Sequence, residues 1–199
     1  MVTSKNPLGN NPDMRFGQSS THSSTMNKAI TFESPAGVHL AAGQEVCVTD
    51  WVPIGQDRID KFAEATGDFQ WIHVDAVRAR AESPYGGTIA HGFLTLSLLG
   101  KFYEDYLMAA MPFYDMGLNY GLNKVRFTQP VPSGSRVRGR FVLAKVDGIQ
   151  NGLQLTFTVT IDIEGVERPA CVAESVVRRN SSDASNATAS GSSSRGTSA

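Results

Sequence analysis

Asp68 and His73 stand five positions apart in Gly67-Asp68-Phe69-Gln70-Trp71-Ile72-His73, and Ala90-His91-Gly92-Phe93 follows shortly after. A carboxylate and an imidazole brought together can share one water and move its protons. A glycine at the entrance to an apolar helix exposes a backbone N–H, because the first N–H groups of a helix lack intrahelical partners. Such a donor stabilises negative charge developing on an oxygen. An acid/base pair with an oxyanion donor is the equipment for adding water next to a carbonyl. Each residue also has a plainer use. An aspartate after glycine closes a turn through its own backbone, a histidine fills a core, and a glycine permits tight packing. Their combination is what points to chemistry. His91 would complete a mixed metal triad with Asp68 and His73. The spacing fits no ordinary metal motif, so no metal is expected, and His91 is read as bonding the backbone near the helix start.

The flanking text predicts the elements that hold these residues. Positions 56–66 (Gln56-Asp57-Arg58-Ile59-Asp60-Lys61-Phe62-Ala63-Glu64-Ala65-Thr66) read as a short amphipathic helix. Ile59, Phe62 and Ala63 form its inner face, Gln56 or Asp57 supplies its cap, and Gly67 stops it. The pair then lies in a loop beyond that stop. A helical turn over 75–81 ends at Ser83-Pro84-Tyr85-Gly86-Gly87, which breaks it. From 88 to about 110 the chain is apolar nearly all round, the mark of a helix buried on most sides, with Thr88 a suitable cap.

The remaining segments read as strands. One spans 44–52, with Val46, Val48 and Trp51 alternating. Others cover 120–127, 136–146 and 170–177. Leu153, Leu155, Phe157, Val159, Ile161 and Ile163 alternate strictly with polar or small residues. One apolar helix among several antiparallel strands makes an α+β domain whose sheet wraps the helix.

Composition removes whole classes. Eighteen Lys and Arg against nineteen Asp and Glu give a net charge of −1, without the basic face that a nucleic-acid partner needs. No apolar run reaches the roughly 18 residues of a membrane span, and the start carries no secretory signal. The two cysteines, Cys47 and Cys171, sit in strand-like text and suggest no disulfide framework, which favours a reducing, cytoplasmic setting. Residues 1–27 and 180–199 are dominated by Ser, Asn, Gly, Ala and Thr and are expected to be disordered. A single folded domain of 28–179 remains.

Three motifs in order carry a family resemblance. Phe62-Ala63-Glu64-Ala65-Thr66-Gly67-Asp68-Phe69-Gln70-Trp71-Ile72-His73-Val74-Asp75 resembles the signature of the MaoC-like dehydratases, the R-specific enoyl-CoA hydratases. Ile89-Ala90-His91-Gly92-Phe93 resembles their second motif. Asn119-Tyr120-Gly121-Leu122-Asn123-Lys124-Val125-Arg126-Phe127 with Pro130, Val131 and Gly134 resembles the third. The likeness runs over roughly residues 45–178. It implies a hotdog fold, a homodimer, and a site between subunits at the N-terminus of the long helix. The implied substrate is an acyl-CoA thioester, with coenzyme A belonging to the substrate and no separate cofactor. By the same likeness Asp68 and His73 are the catalytic pair, Gly92 is the amide that holds the thioester oxygen, and the product is an R-3-hydroxyacyl-CoA. Many members have Asn-Pro where this chain has Gln70-Trp71. The Gln-Trp-Ile-His form resembles a NodN-like branch, and the difference bears on the acyl pocket, for which Trp71 is a candidate wall. A hotdog thioesterase and a non-catalytic acyl-binding protein are the alternatives.

Overall fold

The computed structural model describes residues 29–181. The expectations of disordered ends fall almost wholly outside that range. Within it the elements are α1 (Pro35–Leu40), β1 (Glu45–Val48), β2 (Val52–Ile54), α2 (Gln56–Thr66), α3 (Trp71–Val74), α4 (Ala76–Glu82), α5 (Gly92–Phe102), β3 (Met116–Phe127), β4 (Ser135–Ile149), β5 (Gly152–Ile163) and β6 (Cys171–Asn180). A π-helical turn, Tyr103–Leu107, continues α5. The strands form one antiparallel sheet in the order β1-β4-β5-β6-β3, with β2 also paired to β4.

The helix α5 is buried through Leu94, Leu96, Leu98, Leu99 and Phe102. Its far end meets the sheet in an aromatic cluster. Tyr103 packs on Phe141 and Phe157 with ring centroids 5.5 and 6.0 Å apart, and Phe102 meets Phe141 edge-on at 6.3 Å. Aromatic pairs in this geometry add to the stabilisation from burial alone. All six apolar residues of the alternating run 153–163 point into this core. The fold is therefore the expected sheet wrapped around one apolar helix.

Several boundaries differ from expectation, each for a physical reason. The strand expected over 44–52 is two short ones. Between them Thr49 exchanges bonds with Gly139: its N–H donates to the Gly139 carbonyl, and its Oγ1 accepts the Gly139 N–H, both at 2.9 Å. The helix α5 starts at Gly92 and not near Thr88, because the backbone of 88–90 is already paired with the 131–133 turn. Ala90 N–H donates to Val131 O at 2.8 Å, and Ser133 N–H to Thr88 O at 2.9 Å. The long helix also ends its regular α-form at Phe102. Beyond the π-helical turn the buried Arg179 donates from Nη2 to the carbonyls of Met111 (3.0 Å) and Tyr114 (2.9 Å), which lie in the turn segment that follows. The last strand runs through Asn180, which pairs with Met116 and Gly152. The ordered domain thus reaches past 179.

The strand β3 lies at one edge of the sheet and is exposed along most of its length, including Met116, Leu118, Tyr120 and Leu122. A long edge strand with apolar side chains invites pairing with another strand. No helix among the described residues is long and apolar enough to cross a membrane.

Candidate active site

The site is built where α2 ends. Gly67 adopts φ +75°, the left-handed conformation that favours glycine, and its N–H donates to Ala63 O at 2.8 Å. The reversal delivers Asp68 beside α3. Its Oδ1 accepts the Gln70 N–H at 3.4 Å, so the aspartate does close a turn. The carboxylate nevertheless stays half-exposed and lies 3.9 Å from Nε2 of His91 through its other oxygen.

His73 sits in the one-turn helix α3 and not in a loop. Its N–H donates to Gln70 O at 2.9 Å. The imidazole is buried at 7 % exposure, and Nδ1 lies 2.7 Å from the carbonyl of Ile89. A carbonyl only accepts, so Nδ1 carries the proton and Nε2 is left as an acceptor. Burial pushes the His73 pKa below its ordinary value of 6.5. The bond to Ile89 opposes that shift, the neighbouring His91 adds to it, and the charge of Asp68 opposes it. The ring is thus neutral at neutral pH, the form a proton acceptor needs.

A stability prediction follows from that shift. Below about pH 6.5 the unfolded chain takes up a proton at His73 that the folded protein resists. The unfolded state then binds more protons, and stability falls as pH falls. Above that value the group contributes nothing. Denaturant titrations from pH 8 to pH 5 should show a steeper acid loss in the native protein than in a His73→Gln variant; equal slopes would contradict the neutral, buried assignment.

Asp68, His73 and His91 each place one ligand-type atom within 4.8 Å of the others. No direct hydrogen bond joins the Asp68 carboxylate to His73. Their polar atoms lie within 4.8 Å of one another, a separation that a water can bridge. The two imidazoles stack, with centroids 3.8 Å apart and planes at 29°. The three atoms lie close enough together that one ion could also be held there.

Gly92 is the first residue of α5, and no side chain among the described residues caps that helix. Its N–H points from a helix start, where the dipole also favours negative charge. A cleft of about 310 Å³ opens beside it, lined by His73, Gly92, Thr95, Tyr85, Phe127 and Val131 among others. A Cβ added to Gly92 would lie 2.9 Å from the Phe127 ring. The glycine therefore keeps both the amide and the cleft wall accessible.

The structure brings Asp68, His73 and Gly92 to one end of α5, with His73 and Gly92 lining the cleft and Asp68 beside His91. Trp71 does not line the cleft; the Arg78 guanidinium lies 4.4 Å from its ring centroid. Tyr85 does line it. His91 bonds the backbone as expected: its Nε2–H donates to the Asp68 carbonyl at 2.9 Å, across to the loop of the pair. Gln56 also has an unforeseen place. Its amide donates to His73 O (2.7 Å) and to Asp60 Oδ1 (2.8 Å), and accepts from the Thr88 hydroxyl (2.6 Å). It tethers α2, α3 and the approach to α5 where a helix cap was expected. No local pattern marks such a role, since its partners lie 17 and 32 positions away.

Comparison with known proteins bears on the family and the fold. The model of the MaoC like domain matches residues 38–164. The chain is 52 % identical over 149 residues to the 3-hydroxyacyl-thioester dehydratase Z of Mycobacterium tuberculosis, covering 74 % of this chain and 97 % of the relative. It is 50 % identical over 141 residues to Nodulation protein N of Rhizobium leguminosarum, covering 70 % and 87 %. In fold it is similar to the (R)-hydratase from A. caviae, with a TM-score of 0.56 at 23 % identity over 68 % of this chain and 94 % of that one.

Proposed function

The chain belongs to the MaoC-like domain family and is a dehydratase, or hydratase in reverse, of 3-hydroxyacyl thioesters, and we propose that it hydrates trans-2-enoyl-CoA to R-3-hydroxyacyl-CoA with Asp68, His73 and Gly92. The observation that carries this reading is the convergence of the three groups at the start of α5. Asp68 and the free Nε2 of His73 hold one water between them. Asp68 polarises that water, and His73 orients it and relays its proton.

The water oxygen bonds to C3 of the enoyl group while the C2–C3 π-bond breaks. Its displaced proton is delivered to C2. Charge passing through the thioester carbonyl is met by the Gly92 N–H, a donor worth about 3–4 kcal/mol in comparable sites. Dehydration runs the same steps backward. Coenzyme A serves as the handle of the substrate, and the reaction as drawn uses no further cofactor or metal.

We place the working enzyme as a homodimer paired through β3. What supports this is the exposed edge carrying Met116, Leu118, Tyr120 and Leu122, with Phe127 at its end reaching the cleft. Sedimentation velocity should give the mass of two chains; a monomer at assay concentrations would remove the paired-edge account. A cytoplasmic setting is proposed as well. Cys47 and Cys171 are unpaired and buried, which suits a reducing compartment, and burial pushes their thiols up to about 12 and about 11. Labelling of the intact cell fractions with a specific antibody would test it, and secretion would refute it.

The reaction itself is tested with crotonyl-CoA. Loss of enoyl absorbance without release of thiol, and an R-configured 3-hydroxybutyryl product on chiral analysis, are expected. Released thiol would mean hydrolysis, and an S product would place water on the wrong face of the double bond for this site.

A further inference from the structure

We infer that His91 is a positioning residue that locks the Asp68/His73 pair to the helix start carrying the Gly92 amide, an inference that rests on the proposed function above. His91 is 2 % exposed and does not line the cleft. It makes three contacts that together fix every part of the machinery. Its Nε2–H holds the carbonyl of Asp68 at 2.9 Å, which pins the turn carrying the carboxylate. Its face stacks on His73 at 3.8 Å, which limits rotation of that imidazole. Phe62 packs against the ring at 5.1 Å and keeps it seated.

The backbone of His91 matters equally. It is the N-cap residue of α5, directly before Gly92, and its carbonyl accepts the Thr95 N–H at 3.2 Å. One residue therefore sets the distance between the water-binding pair and the oxyanion donor. Reaction rates are sensitive to displacements of about 1 Å in such groups. The donor pattern is also set. A carbonyl accepts from Nε2, so that nitrogen carries a proton, and Nδ1 is buried without a hydrogen-bond partner among the described residues. His91 thus donates from Nε2 and His73 from Nδ1. Leaving Nδ1 unpaired has a cost, which the joint hold on Asp68 and His73 accounts for.

The test uses the full-length enzyme with crotonyl-CoA. Wild-type turnover is measured first and carries the proposed function by itself. His91→Phe keeps a ring to stack but loses the donor; kcat should fall at least ten-fold with KM changed less than two-fold. His91→Gln restores an N–H donor at similar reach, and its kcat should return to within about three-fold of wild type. A residue that only fills space would rank these the other way, with Phe the better replacement. With an active wild type, a Phe variant that keeps its kcat overturns the positioning role alone. Because either variant can fold poorly, long-range 1H–15N spectra of the unmodified protein give a second reading. A proton on Nδ1 of His73 and on Nε2 of His91 is expected, and a His91 without the Nε2 proton would overturn the inference whatever the variants do.

Discussion

His73→Gln and Asp68→Asn should each lower kcat on an enoyl-CoA by roughly 10²–10⁴-fold, the range that positioned acid/base groups contribute. Both changes keep size and hydrogen-bonding capacity. His73→Gln removes the ring nitrogen that accepts a proton while leaving a side chain able to reach the Ile89 carbonyl, now bonded at 2.7 Å. Asp68→Asn removes the charge that polarises the water yet can still cap the Gln70 N–H. Thermal stability should change little in the aspartate variant, because that carboxylate is half-exposed. The double variant should be scarcely worse than either single one, since groups acting on one water fail together. Steady-state kinetics on the three proteins checks this. Full activity in either single variant would support a binding protein or a different catalytic set.

Gly92→Ala carries the second large effect, with kcat/KM expected to fall about ten-fold or more while the fold survives. The backbone of Gly92 is not in the left-handed region, so alanine meets no conformational penalty there. Alanine is also the better helix former. The new methyl would instead sit 2.9 Å from the Phe127 ring. That ring is 45 % exposed, borders the cleft and packs edge-on against Phe93 at 5.6 Å, so it must shift to admit the methyl. The variant should thus lose room for the thioester at the amide while keeping its melting temperature within a few degrees. Unfolding of Gly92→Ala, rather than a folded and inactive protein, would show that the glycine serves packing.

Much of this arrangement could be read along the chain where local physics decides it. The helix over 56–66 was legible from its apolar spacing, and its end from Gly67. The strand over 153–163 was legible because alternation there is strict and each apolar residue is buried. Errors fall where distant contacts overrule local preference. A cap at Thr88 is locally sound, but the 131–133 turn takes the backbone groups that a helix would use. One strand over 44–52 is locally sound too, until Thr49 bonds to Gly139, ninety positions on. The helix α1 is a different case. Ser34 caps it by accepting the Gly37 N–H, and Pro35 stands at its first turn, a start signal carried by the sequence itself.

The site follows the same division. Asp68, His73 and Gly92 were legible through motif and spacing, together with the chemistry their types allow. The supporting residues were not. Gln56 and Thr88 meet only because α2 and the approach to α5 are brought together, and the direction in which His91 bonds depends on where the turn after Gly67 leads. Family resemblance identified the reaction class; the folded chain adds how the pair is held.

The most direct test of the central claim is a crystal structure with an unreactive saturated acyl-CoA bound. The account predicts one water within hydrogen-bonding distance of both the Asp68 carboxylate and Nε2 of His73, facing C3, with the thioester oxygen on the Gly92 N–H. A thioester oxygen held elsewhere, or side chains of Asp68 and His73 that contact no common water, would contradict it.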